Sequence, residues 1–410
     1  MSNEFMVQKF ISQKELDGLS DYSLQLNRWL LKPIGVWPKS FYTSNIEKIV
    51  SLISNMICYC SIVITVVPCI LHLTFEDIDF RTKLKVFGPM THWFAGGINY
   101  TTLLVRGEEI RHCMKQMQND WRTVSSPEVQ QVMLKDAKFG RNMATFCTVF
   151  MQGGVLCYCA AMALTKEIVQ VGNETRTIHT LPIAVYKKLI PVDTSPTNEI
   201  VLAVQVLAAI IVNCTVVGAF SLAIVFAAHA HGQLDVLNMW ITEFVDQSRN
   251  SSKKVRWNGI GVFVNNHTNV LSFIEHIEHV MNVICFTELC QCTMSICFLC
   301  YYILTEWHEH DIHNLTTYVI ILVSVTFNVF IMCYVGELLT KQCNRIADVI
   351  YSTNWYYLPC KNVLDLTVII TRSSMVTKIT AGKIIYMSMY TFGAVLKTSF
   401  TYLNILRQMT

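Results

Sequence analysis

Long apolar runs separated by polar connections are the dominant pattern along this chain of 410 residues. Seven runs reach the roughly 20 residues that a helix needs to cross a hydrocarbon core of about 30 Å. The pattern therefore predicts an all-α membrane protein with seven transmembrane helices. We place these helices at residues 46–72, 84–106, 140–165, 199–228, 278–304, 315–340 and 383–409.

The composition supports a membrane protein. Hydrophobic residues make up 52% of the chain and charged residues only 15%, whereas soluble domains carry about 25% charged residues. Most of the 16 cysteines lie inside the apolar runs, where they act as small apolar side chains and not as a disulfide framework. The composition therefore excludes a soluble globular protein of this size.

The distribution of Lys and Arg predicts the orientation in the membrane. Connections on the side of the N-terminus hold 21 of these residues, and those on the opposite side hold six. Because cytoplasmic loops are enriched in Lys and Arg, we expect a cytosolic N-terminus and an extracellular C-terminus. This orientation is the inverse of that of G-protein-coupled receptors.

Two of the cytosolic connections are too apolar to be free loops. Residues 229–275 begin as a helical continuation of the fourth span, and residues 341–382 indicate an amphipathic helix, Pro359 and a second helix. Together they predict a helical cytosolic anchor layer below the membrane. Residues 1–45 form a polar cytosolic segment of mixed sequence.

The final run, residues 383–410, combines membrane length with a polar stripe. Four polar residues follow helical spacing along one side: Lys397, Thr401, Asn404 and Gln408. Such a stripe faces either a bundle interior, where it forms interhelical hydrogen bonds, or a water-filled path. As one helix this run would span about 42 Å, so we also expect it to tilt, project or bend, with Gly393 as the candidate bend point.

Three clusters contain residue types typical of metal or catalytic sites. The outer loop 307–313 combines His with carboxylates, but a short polar loop explains it better and we predict no metal. The segment from His231 to Asp235 lacks the His-x4-Asp spacing of acyltransferases and has no nucleophile nearby. His276 and His279 do not match a zinc protease motif. We predict neither an enzyme nor a cofactor.

Two acidic residues, Glu288 and Glu337, lie within or beside the predicted spans. Intramembrane acids mark functional sites by default, but pairing with polar groups inside the bundle explains them equally well. Both explanations stay open at the level of the sequence.

Three stretches resemble the insect odorant receptor family. They are residues 190–205, 336–359 and 380–407, with the sequences IPVDTSP, ADVIYSTNWYYLP and TYLNILR at their most similar points. Val192 and Asn198 replace the Phe and Tyr that the family usually has in the first stretch. The resemblance covers the whole seven-helix layout and is most specific in residues 336–410.

The resemblance implies a volatile-ligand-gated, non-selective cation channel that serves olfaction. It implies a heterotetramer with a shared co-receptor, in which the last helix of each subunit lines one central pore. The chain resembles a tuning, odorant-binding subunit, because its connection between spans four and five lacks the long insertion of the co-receptor. The expected partners are the co-receptor, a small volatile organic ligand and membrane lipid, with no nucleic acid and no G protein required for gating. The expected location is the plasma membrane of olfactory sensory neuron dendrites.

The resemblance also implies pore residues. Carried across the Thr-Tyr-x5-Gln pattern, it places the gate at Ile405, with Gln408 and Met409 beside it and Thr401 one turn earlier. A ring of apolar side chains closes a pore by dewetting, and a carboxamide can replace part of an ion's water. The predicted organisation is a cytosolic segment, six spans with an outer-half ligand pocket and cytosolic extensions, anchor helices and a pore-lining helix, at residues 1–45, 46–340, 341–382 and 383–410.

A volatile ligand needs a mostly apolar pocket that is reachable from outside, so we place it between the outer halves of the spans. Gly153 and Gly154 leave volume there that a side chain would otherwise fill. The predicted ligand-binding residues are Met90, Trp93, Phe94, Phe150, Gly153, Gly154, Cys157, Gln205, Ala209, Tyr318 and Ile321.

Alternative functions belong to two other classes. A gustatory receptor channel of the same superfamily shares the Thr-Tyr-x5-Gln ending, although residues 336–398 favour the odorant branch. A metabotropic receptor or a transporter is less consistent with the sequence. The chain shows neither the internal repeats that many transporters carry nor the sequence signatures of G-protein-coupled receptors.

Overall fold

The structure, a computed structural model, describes residues 13–38, 44–124, 126–171, 174–249, 260–309, 312–375 and 378–409. Within these residues the chain is mainly helical. The helices are α1 (Gln13–Leu31), α2 (Asn45–Phe75), α3 (Phe80–Val105), α4 (Gly107–Arg122), α5 (Pro127–Leu164), α6 (Thr197–Arg249), α7 (Gly261–Glu309), α8 (Ile312–Ser352), α9 (Cys360–Ser374) and α10 (Met389–Met409). Two small antiparallel hairpins pair β1 (Lys166–Val171) with β2 (Glu174–His179), and β3 (Thr380–Ala381) with β4 (Ile385–Tyr386).

Seven of these helices coincide with the seven predicted spans: α2, α3, α5, α6, α7, α8 and α10. Among the described residues, α2, α5, α6, α7 and α8 are long and apolar enough to cross a membrane by length and composition alone. Helices α3 and α10 fall outside that set. Both contain charged and polar side chains, such as Lys85 and Asn99 in α3 and Lys397 and Arg407 in α10.

The centre of the bundle is α6, a single helix of 53 residues. At 1.5 Å per residue it is about 80 Å long, far more than a hydrocarbon core of about 30 Å. Residues 208–230 of α6 are almost all buried, because α1, α2, α3, α5, α7 and α8 pack around it. Helix α6 therefore continues without a break past the fourth predicted span, residues 199–228, to Arg249.

The anchor layer has the predicted order of elements. Helix α8 continues past the membrane to Ser352, a short 3-10 helix follows at Trp355–Tyr357, and α9 begins directly after Pro359. Helix α9 packs against α8 and buries Leu366 and Ile369. Pro359 separates the two helices because proline fixes its own φ and disfavours helical backbone in the residue before it.

Several elements were not predicted. Helix α1 lies in the segment that we described only as polar and of mixed sequence, yet it buries Leu24 and Leu31 and packs against α6. The Tyr100 hydroxyl on α3 donates a hydrogen bond to the backbone oxygen of Ile34, 2.8 Å away, just after α1. Helix α4 and the β1–β2 hairpin occupy connections to which we assigned no secondary structure, although the apolar residues Ile110, Met117 and Trp121 of α4 recur at helical spacing and are buried.

The sequence predicts that the last helix begins at Lys383, but in the structure it begins at Met389. Residues 380–386 instead form the β3–β4 hairpin, in which Gly382 and Lys383 have φ angles of 61° and 59°. This left-handed conformation is incompatible with a continuous right-handed helix. The observed helix of 21 residues spans about 32 Å. Since that length matches the hydrocarbon core, the expected tilt or bend at Gly393 is not required.

Candidate functional site

Helix α10 packs on its own subunit through one face only. It contacts mainly α7 and α8, and its buried residues recur at every fourth position: Thr391, Val395, Ser399 and Leu403. The Ser399 hydroxyl donates a hydrogen bond to the backbone oxygen of Thr293 on α7, at 3.0 Å. This bond fixes the rotation of α10 about its axis, which decides the side chains that face outwards.

The predicted polar stripe lies on the exposed face of α10. Lys397, Thr401, Asn404 and Gln408 are all exposed, and the side chain of Ile405 is 49% exposed. The side chain of Met409 lies outside the described residues. Within the part of the chain that the structure describes, the stripe faces away from the other helices of the subunit. Hydrogen bonding inside one subunit therefore does not explain it.

The N-terminus of α10 is held by the C-terminal half of α8. Glu337 accepts a hydrogen bond from the backbone nitrogen of Met389 at 2.7 Å, and its other oxygen lies 2.7 Å from the Lys341 ammonium. A carboxylate at this position also stabilises the positive end of the helix dipole. A Cβ atom at Gly336 would lie 2.6 Å from the Cβ of Met387, so only glycine allows this close approach. Glu337 is therefore paired with neighbouring polar groups, which is one of the two explanations that the sequence left open for it.

The β3–β4 hairpin fastens the same end of α10 to α7. The backbone nitrogen of Gly382 donates to the backbone oxygen of Asn282 at 2.8 Å, and the Thr380 hydroxyl donates to Glu278. Ala381 is completely buried between these contacts. The Thr-Ala-Gly-Lys sequence of the terminal block is thus a docking element for α10.

Glu288 is the centre of a buried polar network in the membrane region. Its two carboxylate oxygens accept hydrogen bonds from Asn99 on α3 and Asn328 on α8, at 2.7 and 2.9 Å. All three residues are less than one-tenth exposed. The network joins α3, α7 and α8 around a carboxylate whose two oxygens are both paired, which is the pairing explanation offered by the sequence. The amide oxygens of Asn99 and Asn328 have no hydrogen-bond partner among the described residues.

Two predicted ligand residues, Tyr318 and Ile321, pack against an aromatic group that we call the outer cluster. Its buried members are Leu84, Cys297, Phe298, Leu299, Tyr301, Tyr302 and Leu403. The rings of Tyr302 and Tyr318 have centroids 5.4 Å apart. Since Leu403 belongs to α10, the outer cluster connects part of the predicted ligand region directly to the last helix.

Two further predicted residues lie along the seam between α5 and α8. The ring of Phe150 contacts that of Phe327, with centroids 4.6 Å apart. A Cβ atom at Gly154 would lie 3.4 Å from the Ser324 hydroxyl, whereas one at Gly153 would have no neighbour within 4 Å. The seam is therefore narrow at Gly154 and open at Gly153.

The other predicted ligand residues have different surroundings. Met90, Trp93 and Ala209 belong to the main core or pack against it. The Gln205 amide accepts from and donates to the backbone of Ile183, at 3.2 and 3.0 Å, so it holds the outer connection before α6. The side chains exposed at the subunit surface are Phe94 and Cys157. The structure therefore brings together the residues that face α8 and separates the rest.

A polar cavity of about 760 Å³ lies elsewhere, among α5, α6 and α8 below the membrane region. Its lining includes Lys135, Asp235, Glu243 and Arg345, and it contains none of the predicted ligand residues. The charged lining does not suit a volatile apolar ligand.

Comparison with known sequences identifies a matching family and several similar proteins. A sequence model of the 7tm Odorant receptor family matches residues 79–400. Similar proteins include Odorant receptor 13a of Drosophila melanogaster, 24% identical over 194 residues, and Odorant receptor 2a of the same species, 29% identical over 140 residues. These matches cover 44% and 32% of this chain and 46% and 33% of the two relatives. The similarity thus spans less than half of each relative.

The fold is similar to that of the olfactory receptor OR5 from Machilis hrabei. Two structures of OR5, one of them in complex with eugenol, give TM-scores of 0.76 and 0.75 with 15% and 12% sequence identity. Each match covers 97% of this chain and 100% of the OR5 chain. At such low identity the comparison shows the fold alone, an all-α membrane protein with seven spans.

Proposed function

Because this chain belongs to the 7tm odorant receptor family, we propose that it works as a volatile-ligand-gated, non-selective cation channel subunit. It is an odorant receptor and a multi-pass membrane protein, and it is not an enzyme. We propose further how its pore is gated, how its subunits assemble and where its ligand binds.

The exposed polar stripe of α10 carries the proposal. A membrane helix that presents Lys397, Asn404 and Gln408 to lipid is unfavourable, because amide and ammonium groups lose their hydrogen bonds with water. The stripe is exposed in a single subunit and needs a polar environment supplied by something else. Neighbouring subunits around a water-filled path supply that environment. Ile405 and Gln408 are exposed and Leu403 is buried, which supports a path on the side of Ile405 and Gln408.

The proposed assembly is a heterotetramer with a co-receptor, in which four α10 helices surround one pore. Ile405 supplies its share of an apolar ring that closes the pore by dewetting. Gln408, one turn further, supplies a carboxamide that replaces part of an ion's water. Thr401 lines the path one turn before Ile405.

The proposed ligand site lies on the outer part of α8, between the seam with α5 and the outer cluster. OR5 of Machilis hrabei has a similar fold and was determined with eugenol, a small aromatic molecule. A ligand that moves Tyr318 would disturb its contact with Tyr302 and hence the packing of Leu403 on α10. This route couples ligand binding to the pore helix through direct side-chain contacts.

The proposed orientation has a cytosolic N-terminus and an extracellular C-terminus, on the grounds of the Lys and Arg asymmetry. It places the anchor layer in the cytosol and the outer cluster near the extracellular surface. The proposed location is the plasma membrane of olfactory sensory neuron dendrites.

Whole-cell recording tests the proposed function. Cells that express the chain with an odorant receptor co-receptor are exposed to an odorant panel, and cells that express either protein alone are the controls. We expect an odorant-evoked, non-selective cation current in the co-expressing cells that persists when G proteins are inhibited. A current that disappears on G-protein inhibition, or no current across the panel despite surface expression of both proteins, would contradict the proposal.

A further inference from the structure

A cluster of potential metal ligands lies where α5 and α6 leave the membrane region. Asp136 is on α5, and His231 and Asp235 are four residues apart on α6, so they share one face of that helix. One carboxylate oxygen from each Asp and a ring nitrogen of His231 all lie within 4.8 Å of one another. The cluster is remote in sequence and position from α10.

The distances within the cluster are unlike those of hydrogen-bonded ion pairs. Nδ1 of His231 lies 3.5 Å from Oδ1 of Asp136 and 3.7 Å from Oδ2 of Asp235. An N–H···O hydrogen bond measures about 2.7–3.2 Å between heavy atoms. Ligands bound at about 2.0–2.2 Å in a tetrahedral zinc site stand roughly 3.3–3.6 Å apart. The two separations that involve His231 are therefore close to the spacing of ligands around one zinc ion, and the two carboxylates lie within 4.8 Å of each other.

A nearby ion pair between α6 and α4 shows the contrast. Nε2 of His229 lies 2.9 Å from Oδ2 of Asp120, which is an ordinary hydrogen-bonded distance. His229 is two residues before His231, so the two histidines face different neighbours. Only the second one faces two carboxylates at metal-ligand spacing.

Burial of Asp136 points to a missing partner. This residue is only 8% exposed, and its Oδ2 atom makes no hydrogen bond with any described residue. Nδ1 of His231 lies 3.5 Å from the other oxygen, Oδ1, and is likewise buried without a hydrogen bond. A buried carboxylate that lacks a partner is costly, and a bound cation supplies both charge and coordination.

The surrounding residues hold the ligands in place. Gln342 on α8 donates a hydrogen bond to Oδ1 of Asp235 at 2.6 Å, which leaves Oδ2 directed at His231. Partners of this kind orient the ligands of metal sites. A Cβ atom at position 232 would lie 3.3 Å from Oδ2 of Asp136, so Gly232 allows α5 to approach α6 here.

A cavity opens beside one residue of the cluster, Asp235. Asp235 also lines the polar cavity of about 760 Å³, together with Glu243 and Asp246. The positive groups in the lining are Lys135 and Arg345, and Arg345 lies 3.7 Å from Oδ1 of Asp235, the oxygen that faces away from the cluster. A cation can therefore enter through the cavity past acidic side chains.

We propose that Asp136, His231 and Asp235 bind one divalent cation of the zinc class at the cytosolic ends of α5 and α6. An imidazole nitrogen with two carboxylates suits zinc, whereas Ca²⁺ takes six to eight oxygen ligands and Mg²⁺ an octahedron of oxygens. Solvent supplies the remaining coordination. The bound ion ties α5 to α6, and Gln342 extends this connection to α8.

Zinc titration of the purified full-length chain tests the site. After chelator treatment, saturable Zn²⁺ binding and the accompanying rise in Tm are measured for the wild type, Asp136→Asn and Asp235→Asn. We expect one zinc equivalent to be bound at least about tenfold more weakly in each variant, since even loss of a residue that only orients a ligand costs 10–100-fold. His229→Gln is the matched control and should bind zinc like the wild type.

Two results would overturn the proposal. One is equal zinc affinity in the wild type, Asp136→Asn and Asp235→Asn, which would assign the binding to other His or Cys residues. The other is stabilisation of the wild type by Ca²⁺ as strongly as by Zn²⁺, which would indicate general screening of acidic groups. Two carboxylate variants are used so that a folding defect in one does not decide the outcome.

Discussion

His267 is a single residue whose surroundings make the anchor layer sensitive to acid. It lies on α7, is 2% exposed, and its Nε2 atom has no hydrogen-bond partner among the described residues. Burial, and to a smaller extent the positive charge of Arg372 on α9, lower the pKa of His267 to about 4.

Acidification should therefore destabilise the protein through His267. Between pH 6.5, near the pKa of the unfolded state, and about pH 4, the unfolded chain binds a proton that the folded protein does not. The free energy of unfolding falls in that window, by about 2 kcal/mol at pH 5 from this residue. His267→Leu removes the effect, so unfolding in detergent micelles at pH 7.5 and 5.0 should show a smaller loss for the variant. Equal losses for the two proteins would show that His267 is not responsible.

Single-residue roles could be predicted where helical spacing alone decides them. The stripe from Lys397 to Gln408 follows a helical period, and the structure places it on one exposed face. The partners of Glu288 could not be predicted, because Asn99 and Asn328 come from two other helices whose rotation depends on packing. The same limit explains why Phe94 and Cys157 are exposed, although they lie in the predicted spans.

At the scale of elements, the seam between α5 and α8 is the part of the proposed ligand region that a substitution can test. Gly154→Leu adds a side chain where a Cβ atom already meets Ser324 at 3.4 Å. Overpacking of this kind costs about 1–3 kcal/mol, so odorant sensitivity should fall by roughly tenfold or more. Dose–response curves at matched surface expression measure the change.

Gly153→Leu is the matched control for the seam. It adds the same side chain one position away, where a Cβ atom has no neighbour within 4 Å. We expect its dose–response curve to stay near that of the wild type. A curve for Gly154→Leu that coincides with the wild type would remove this seam from the ligand site.

The sequence predicted the helices best where they are long and where their apolar residues recur with a clear period. All seven spans and the helix pair around Pro359 follow from apolar runs and from the backbone limits of proline. The start of α10 was predicted too early, because Gly382 and Lys383 lie between apolar stretches and their left-handed φ values depend on the packing of the hairpin against α7. Helix α1 was missed, since it buries apolar residues against α6 within a mostly polar sequence.

At the scale of the whole molecule, the central claim is that the exposed face of α10 lines an ion path. One subunit leaves Ile405 and Gln408 exposed and buries Leu403, so the claim requires neighbours that only an assembly provides. The anchor layer supports this arrangement, because Glu337 and the β3–β4 hairpin fix the inner end of α10 to α8 and α7.

A charge introduced into the path should reduce cation current. In Gln408→Arg, a guanidinium lies on the exposed face one turn beyond Ile405. Two unit charges 4 Å apart repel by about 4 kcal/mol at an effective dielectric constant of about 20. We expect a partial loss of odorant-evoked cation current, since other subunits supply the remaining side chains of the ring. Wild-type conductance and selectivity at matched surface expression would place Gln408 outside the path.

Constitutive current in Ile405→Ser, recorded by patch clamp with the co-receptor present, tests the central claim most directly. The substitution replaces a large apolar side chain with a small one that carries a hydroxyl, so water should enter the constriction and current should flow without odorant. Leu403→Ser is the control from the buried face, and it should reduce folding or surface expression without a change in leak or selectivity. Constitutive leak current is expected in Ile405→Ser and not in Leu403→Ser. Wild-type behaviour of Ile405→Ser together with altered leak or selectivity in Leu403→Ser would contradict it.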